Sequence, residues 1–156
     1  MFGGPPRTPT HTPVAQDELA KLARGLMERV PGGQLNPQLL AEAASDLEAP
    51  LAHVYAAAGL VPMLQFTREN QVVFLVCSGG CQQFGAVPVL EKLLALRDQR
   101  NAANESSFDV HTRGCLDRCE QGAMVAVFTP DGVAALPKAS PEIVAEAVAD
   151  ALGQSS

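Results

Sequence analysis

The amino-acid sequence predicts an α/β protein in which a helical N-terminal part precedes a mixed sheet with helices. Apolar residues recur at helical spacing through residues 16–58, and this spacing is typical of amphipathic helices. After residue 70 the pattern changes to short apolar runs, which are typical of buried strands. A strand, a long helix and a second strand then follow one another, and this order predicts a parallel pair.

Composition excludes several classes of protein. The chain has 156 residues, of which 47% are hydrophobic and 18% charged, as in a globular protein. A net charge of −6 argues against nucleic acid as a partner, since phosphate contacts need clustered Lys and Arg. No apolar run is long enough to insert into a membrane, and the first residues lack the apolar core of a secretory signal. We therefore expect a cytoplasmic protein.

The N-terminal half is predicted to contain a tail and a helical bundle. Residues 1–13 are rich in Pro, Thr and Gly and are predicted to be a flexible tail. Residues 14–69 are predicted to form the bundle domain, because Pro, Gly and Asn signals divide them into three amphipathic segments. The three predicted helices begin near Gln16, at Asn36-Pro37 and near Pro50.

Residues 70–156 are predicted to form a second domain built on a sheet. Strands are predicted at 72–76, 108–112, 124–129 and 133–136, with a helix from about Phe84 to Arg100 and a last helix capped at Ser140-Pro141. A Pro-Asp-Gly turn joins the last two strands into an antiparallel pair. The order β-α-β-β-β-α, with one parallel and one antiparallel pair, predicts a mixed sheet of thioredoxin-like character.

Four cysteines form two pairs with the same spacing. Cys77 and Cys81 have three residues between them, as do Cys115 and Cys119, and each pair lies at or just after the end of a predicted strand. Structural disulfides are rare in a reducing compartment, so this pattern indicates metal ligands. Four thiolates are the ligand set of a 2Fe–2S cluster. Cys81 is also predicted to lie just before a helix N-terminus, which favours an anionic sulfur.

Other interpretations of the four cysteines stay open at this point. A structural zinc site also uses four thiolates, although zinc knuckles usually have two residues between cysteines. Two disulfides or a redox dithiol are less favoured because the C-x-x-C spacing is absent. Four inert buried thiols would not fall into two loop pairs. His111 is a further candidate ligand, since Rieske centres use two histidines, but we interpret it as a strand residue that tunes the site.

The remaining polar side chains predict no catalytic residue. Arg113 and Arg118 flank the second cysteine pair, where they would offset cluster charge, contact an electron partner or be solvated. His53 and Tyr55 are interpreted as helix-packing residues. The sequence has no Gly-x-Gly-x-x-Gly motif and no P-loop, so it predicts no nucleotide site.

Two stretches of the chain resemble a known family. The stretch from Thr112 to Gly122, which contains Cys115-Leu-Asp-Arg-Cys119, resembles the C-L-G-x-C-x-x-G-P loop of thioredoxin-like 2Fe–2S ferredoxins. Cys77-x₃-Cys81-x₃-Gly85-Ala86 resembles the C-x₄-C-x₃-G-A segment of that family, with one residue fewer between the cysteines. Residues 54–66 resemble the V-x-G-V-A-T-F-Y region of the NuoE-type subunit of respiratory complex I.

This resemblance implies a function as a non-catalytic electron-transfer subunit. Members of the family carry a 2Fe–2S cluster and pair with a flavoprotein subunit that binds FMN and NADH. They occur in NADH dehydrogenases, formate dehydrogenases and hydrogenases, some of which lie at the periphery of a membrane. The alternatives are a stand-alone ferredoxin, a cluster-based sensor and a structural zinc-binding module.

Overall fold

The computed structural model describes residues 10–30, 32–114 and 123–152. Within these ranges no helix has both the length and the hydropathy needed to cross a membrane. In chain order the elements are α1 (Gln16–Arg29), β1 (Gln34–Leu35), α2 (Pro37–Asp46), α3 (Leu51–Ala58), β2 (Gln65–Phe66), β3 (Val73–Cys77), a 3₁₀ helix (Gly80–Phe84), α4 (Ala86–Ala102), β4 (Asp109–Arg113), β5 (Val125–Thr129), β6 (Gly132–Leu136) and α5 (Pro141–Leu152).

The three predicted N-terminal helices are present. The Asn36 side chain caps α2 by accepting the backbone N–H of Leu39 at 2.8 Å, as its position before Pro37 predicts. Helix α3 packs against α1 and α2 on one side and against α4 and β4 on the other. Because six of its eight residues are buried, α3 is the central element that joins the helical part to the sheet.

The main sheet has the strand order β4-β3-β5-β6. The central strand β3 runs parallel to β4, with Leu75 opposite His111, and antiparallel to β5, with Leu75 opposite Ala126. Strand β6 completes an antiparallel hairpin with β5. A central strand with one parallel and one antiparallel neighbour, followed by a hairpin, is the thioredoxin-like sheet arrangement. The predicted fold class is confirmed.

Several local features differ from the prediction. Strands β1 and β2 form a small parallel pair that was not predicted, because two residues are too few to show a periodic pattern. Helix α4 begins at Ala86 rather than at Phe84, since Gly85 adopts a left-handed conformation with φ of 99° and separates α4 from the 3₁₀ helix. Met27 and Ile143 fit the helical spacing of apolar residues in their segments, but each is 38% exposed.

A single cluster of buried apolar side chains extends from α1 through α3 to the sheet and α5. The segment that joins the helical part to β3 is fixed by Asp109 on β4. Its carboxylate accepts the backbone N–H groups of Glu69 and Asn70 at 2.6 and 3.0 Å, and the Asn70 side chain at 2.8 Å. The division into domains 14–69 and 70–156 stays a prediction, and these contacts define how the two parts meet.

Candidate functional site

The first cysteine pair lies at one end of the main sheet. Cys77 is the last residue of β3, and Cys81 lies in the 3₁₀ helix that follows. The two residues are 1% and 0% exposed. Cys81 does not lie just before the N-terminus of α4 as predicted, because the 3₁₀ helix and Gly85 intervene. Cys115 and Cys119, together with Arg118, lie outside the described residues.

The carboxyl ends of the parallel strands β3 and β4 meet at Cys77. The Sγ atom of Cys77 lies 3.8 Å from the carbonyl oxygen of Gly114, the residue that directly precedes Cys115. A Cβ atom on Gly79 would lie only 1.9 Å from the same oxygen, so no larger residue fits there. The Ser78 N–H also donates to the Arg113 carbonyl at 2.7 Å, so the ends of strands β3 and β4 are held side by side.

The other neighbour of Cys77 is the start of β5. The Cys77 N–H donates to the carbonyl oxygen of Met124 at 3.1 Å. Strands β4 and β5 flank β3 on opposite sides, so residues 114–124 connect two strands that both lie beside Cys77. The segment that carries the second cysteine pair therefore leaves Gly114 and rejoins Ala123 at this same end of the sheet.

Two buried polar side chains fix the backbone around the first pair. The Ser78 hydroxyl donates to the Ala56 carbonyl of α3 at 3.0 Å, and the Gln82 side-chain amide donates to the Ser78 carbonyl at 2.7 Å. Ser78 is 0% and Gln82 3% exposed. Sequence reasoning missed both residues, and the only available signal was their position next to cysteines.

Residues 10–14 form a strap across the 3₁₀ helix. The backbone N–H groups of Thr10 and His11 both donate to the Gln83 carbonyl, at 2.9 and 3.1 Å. The Val14 N–H donates to the side-chain oxygen of Gln82 at 2.8 Å. Part of the segment predicted to be a tail therefore lies against the helix that carries Cys81.

A groove of about 590 Å³ opens beside the same end of the sheet. Its wall includes Arg113 and Gly114 from the end of β4 and Leu60 from the turn after α3. Arg113 is exposed, so its guanidinium is available to offset negative charge or to contact a partner. The groove places an apolar surface and a cation next to Gly114, the residue that precedes Cys115 in the chain.

A row of stacked rings lines the groove and runs back into the core. The His111 ring stacks on Phe66 with centroids 5.0 Å apart, and Phe66 stacks on Tyr55 at 5.7 Å. The Tyr55 hydroxyl accepts a hydrogen bond of 2.7 Å from the buried Arg97 of α4. Tyr55 therefore has the packing role that the sequence predicted, whereas the buried Arg97 that pairs with it was missed.

His111 lies on β4, as predicted, with Asp109 as its nearest carboxylate. Its Nε2 atom lies 4.0 Å from the Asp109 carboxylate. Burial lowers the pKa of His111 below its usual value, and the negative charge of Asp109 only partly opposes this effect. Burial likewise raises the pKa of Tyr55, against the opposing influence of Arg97. Both side chains are therefore neutral at pH 7.

The lowered pKa of His111 predicts that stability falls in mild acid. The unfolded chain takes up a proton near the usual histidine pKa of about 6.5, whereas the folded chain takes it up only at lower pH. Neutral His111 therefore makes its full contribution to the free energy of unfolding above this pH. The contribution is lost as pH falls towards the pKa of His111 in the folded chain. We expect His111→Gln to flatten the dependence of the free energy of unfolding on pH below about 6.5, measured by urea titration.

His53 provides the matched control for this measurement. Its Nδ1 atom lies 2.7 Å from the Glu18 carboxylate on the bundle surface, far along the chain from the cysteine loops. In the His53→Gln variant, the free energy of unfolding should still fall in mild acid, because His111 is unchanged. An unchanged pH profile in His111→Gln would contradict the assignment.

Within residues 10–30, 32–114 and 123–152, no three His, Cys, Asp or Glu side chains form a group that could hold a metal ion. The two described cysteines supply half of the predicted ligand set. Both are buried, and Gly114 and Met124, which lie on either side of residues 115–122 in the chain, are both close to Cys77.

Comparison with known proteins finds similarity among solved structures. No family model matches the chain, and no curated protein matches it. Among solved structures, the chain is similar to the wild-type thioredoxin-like [2Fe-2S] ferredoxin from Aquifex aeolicus, with 24% sequence identity and a TM-score of 0.45. The match covers 55% of this chain and 89% of the ferredoxin chain. The fold class itself rests on the strand order and register described above.

Proposed function

We propose that this protein transfers single electrons through a 2Fe–2S cluster held by Cys77, Cys81, Cys115 and Cys119. The observation that carries this proposal is the topology around Cys77. Strand β4 ends and strand β5 begins beside it, and residues 114–124, which connect the two strands, contain Cys115 and Cys119. This topology supports the proposal that the two C-x₃-C pairs meet at one end of the sheet, and four converging thiolates are what such a cluster requires.

The described residues supply three conditions that a cluster needs. Cys77 and Cys81 are shielded from water, so their thiolates would meet iron in a site of low polarity. Ser78 and Gln82 fix the backbone between them, and a rigid loop presents its sulfurs in one geometry. The exposed Arg113 lies at the end of β4, where its charge would offset part of the negative charge of four thiolates. When bound, the cluster supplies one-electron redox chemistry.

We further propose that the partner is a flavoprotein subunit that carries FMN and an NADH site. This proposal rests on the resemblance of the two cysteine loops and of residues 54–66 to the NuoE-type subunits. The groove beside Gly114 supports it, because an apolar surface next to the cluster would let a partner approach closely. In such a complex this chain would pass electrons, and the flavin and nucleotide chemistry would belong to the partner.

Reduction of the anaerobically purified protein tests the electron-transfer proposal. We expect brown protein with visible absorption that bleaches on reduction with dithionite and then gives a rhombic EPR signal from one unpaired spin per cluster. The potential should be low, as for clusters with four thiolate ligands rather than two histidines. A colourless protein with a two-electron thiol wave would contradict the proposal.

A further inference from the structure

The strap of residues 10–14 is bonded to the 3₁₀ helix at the end of β3. The N–H groups of Thr10 and His11 share the Gln83 carbonyl, at 2.9 and 3.1 Å, and the Thr10 hydroxyl donates to the same oxygen at 3.4 Å. Val14 is half-buried, and the other residues of the strap are exposed. An exposed segment with few bonds opens more readily than an element of the core does.

Gln82 links the strap to the backbone of the first cysteine loop. Its side-chain oxygen accepts the Val14 N–H at 2.8 Å, and its side-chain NH₂ donates to the Ser78 carbonyl at 2.7 Å. Gln82 is 3% exposed and directly follows Cys81, which is 0% exposed. A buried amide oxygen that loses its partner needs water in its place. Lifting the strap therefore brings water to the residue beside Cys81.

The 3₁₀ helix is weakly bonded internally. The Gln82 N–H donates to the Gly79 carbonyl at 3.0 Å, whereas the Gly85 N–H is shared between two carbonyls, one of them at 3.5 Å. Hydrogen bonds in such helices generally have poorer geometry than those in α-helices. A Cβ atom on Gly85 would lie 3.2 Å from the His11 ring, so this ring lies against the end of the helix. The strap therefore stabilises the segment that presents Cys81.

We propose that the strap is a gate that controls access to Cys81, and with it the entry and loss of the cluster. The inference rests on the 2Fe–2S cluster proposed above, because it names the route by which that cluster enters. A buried metal site needs an entry path. The bonds of the strap described above end on Gln82 and Gln83, so within the described residues it can lift without breaking a hydrogen bond of the main sheet.

The rate of cluster assembly distinguishes a gate from a structural support. If the strap only supported the cysteine loop, loosening it would speed loss of the cluster and slow its assembly, because the ligands would be less well placed. A gate that opens more often speeds both processes, since the same opening precedes entry and loss. Ferric iron, sulfide and cysteine thiolates assemble without electron transfer, because both irons of the oxidised cluster are ferric, and the thiol protons pass to the solvent.

Val14→Pro tests the gate in the full chain. Proline removes the N–H that Gln82 accepts and leaves both cysteine loops unchanged. We expect assembly from ferric citrate and sulfide, and loss to EDTA, to become at least about fivefold faster, the factor that corresponds to one lost hydrogen bond. Visible absorption without oxygen measures both rates. Val14→Ala keeps the N–H and should leave them within about twofold of wild type. Faster loss with slower assembly in Val14→Pro would overturn the gate.

Alkylation of the reduced, metal-free chain tests the gate whether or not a cluster forms. Iodoacetamide should modify Cys81 at least about fivefold faster in Val14→Pro than in wild type. The rate at Cys77 should stay unchanged, because Cys77 bonds Met124 rather than the strap. Peptide mass spectrometry measures both cysteines in one sample. This difference in a chain that takes up no iron would support the gate and contradict the proposed function, whereas an unchanged Cys81 rate would overturn the gate.

Hydrogen exchange of the wild-type chain tests the gate without any substitution. The N–H groups of Thr10, His11 and Val14 should exchange at least about 100-fold faster than the Cys77 N–H, because the strap opens while the sheet stays closed. Equal exchange rates would show that the strap opens only when the sheet unfolds, and the gate would be overturned.

Discussion

Replacing Gly79 by alanine is expected to disrupt the cysteine site more than any other single methyl addition near it. The added Cβ would lie 1.9 Å from the backbone carbonyl oxygen of Gly114, so the loop after β3 and the end of β4 must separate. We expect the free energy of unfolding to fall by about 3 kcal/mol or more, at the upper end of overpacking effects. Iron retention should fall with it, because Cys115 directly follows Gly114.

Gly32→Ala is the matched control for this substitution. A Cβ at Gly32 has no heavy atom within 4 Å, so alanine there should change stability by no more than about 0.5 kcal/mol. Urea titration and iron content of the two variants, purified alike without oxygen, give the comparison. Equal stability and equal iron content in the two variants would show that the close approach of the two loops does not hold the site together.

The second large effect is expected from the cysteines of the first pair. Cys77 is fixed on both sides, by its N–H bond to Met124 and by the packing of Gly79 on Gly114, and Cys81 is fully buried in the 3₁₀ helix. The loop is also one residue shorter than in the ferredoxins that it resembles. We therefore expect Cys77→Ser and Cys81→Ser to lower iron retention at least about tenfold, and more than the substitutions of the second pair do.

The comparison needs all four single variants, Cys77→Ser, Cys81→Ser, Cys115→Ser and Cys119→Ser. Thermal unfolding of the metal-free proteins separates loss of ligation from loss of fold, because serine at a buried position also affects stability. Equal iron retention in the four variants would remove the argument from the short first loop. Full retention in a variant of the first pair would show that its cysteine is not a ligand.

Local patterns in the sequence predicted most of the fold. Proline and capping residues delimit the helices, and Asn36 caps α2 as its position before Pro37 predicts. The apolar run before Cys77 is the central strand, and the crossover to β4 is parallel. Met27 and Ile143 fit the helical periodicity but are each 38% exposed, because periodicity marks an apolar face without showing how far the neighbouring helices cover it.

Contacts between distant parts of the chain could not be predicted in the same way. Gly79 meets Gly114, Ser78 bonds Ala56, and Gln82 holds Val14, and each pair is separated by more than 20 residues. No periodic pattern records such a contact, because it depends on how α3 and the N-terminal strap pack around the end of β3. The sequence predicts which residues carry the chemistry of the site, and the structure adds the residues that fix the backbone around the first cysteine pair.

The measurement that tests the central claim most directly is the metal and acid-labile sulfide content of wild-type protein purified without oxygen. Four thiolates that hold a 2Fe–2S cluster predict about two irons and about two sulfides per chain, with no stoichiometric zinc. About one zinc per chain, with neither iron nor sulfide, would contradict the account and assign the same four cysteines to a structural zinc site.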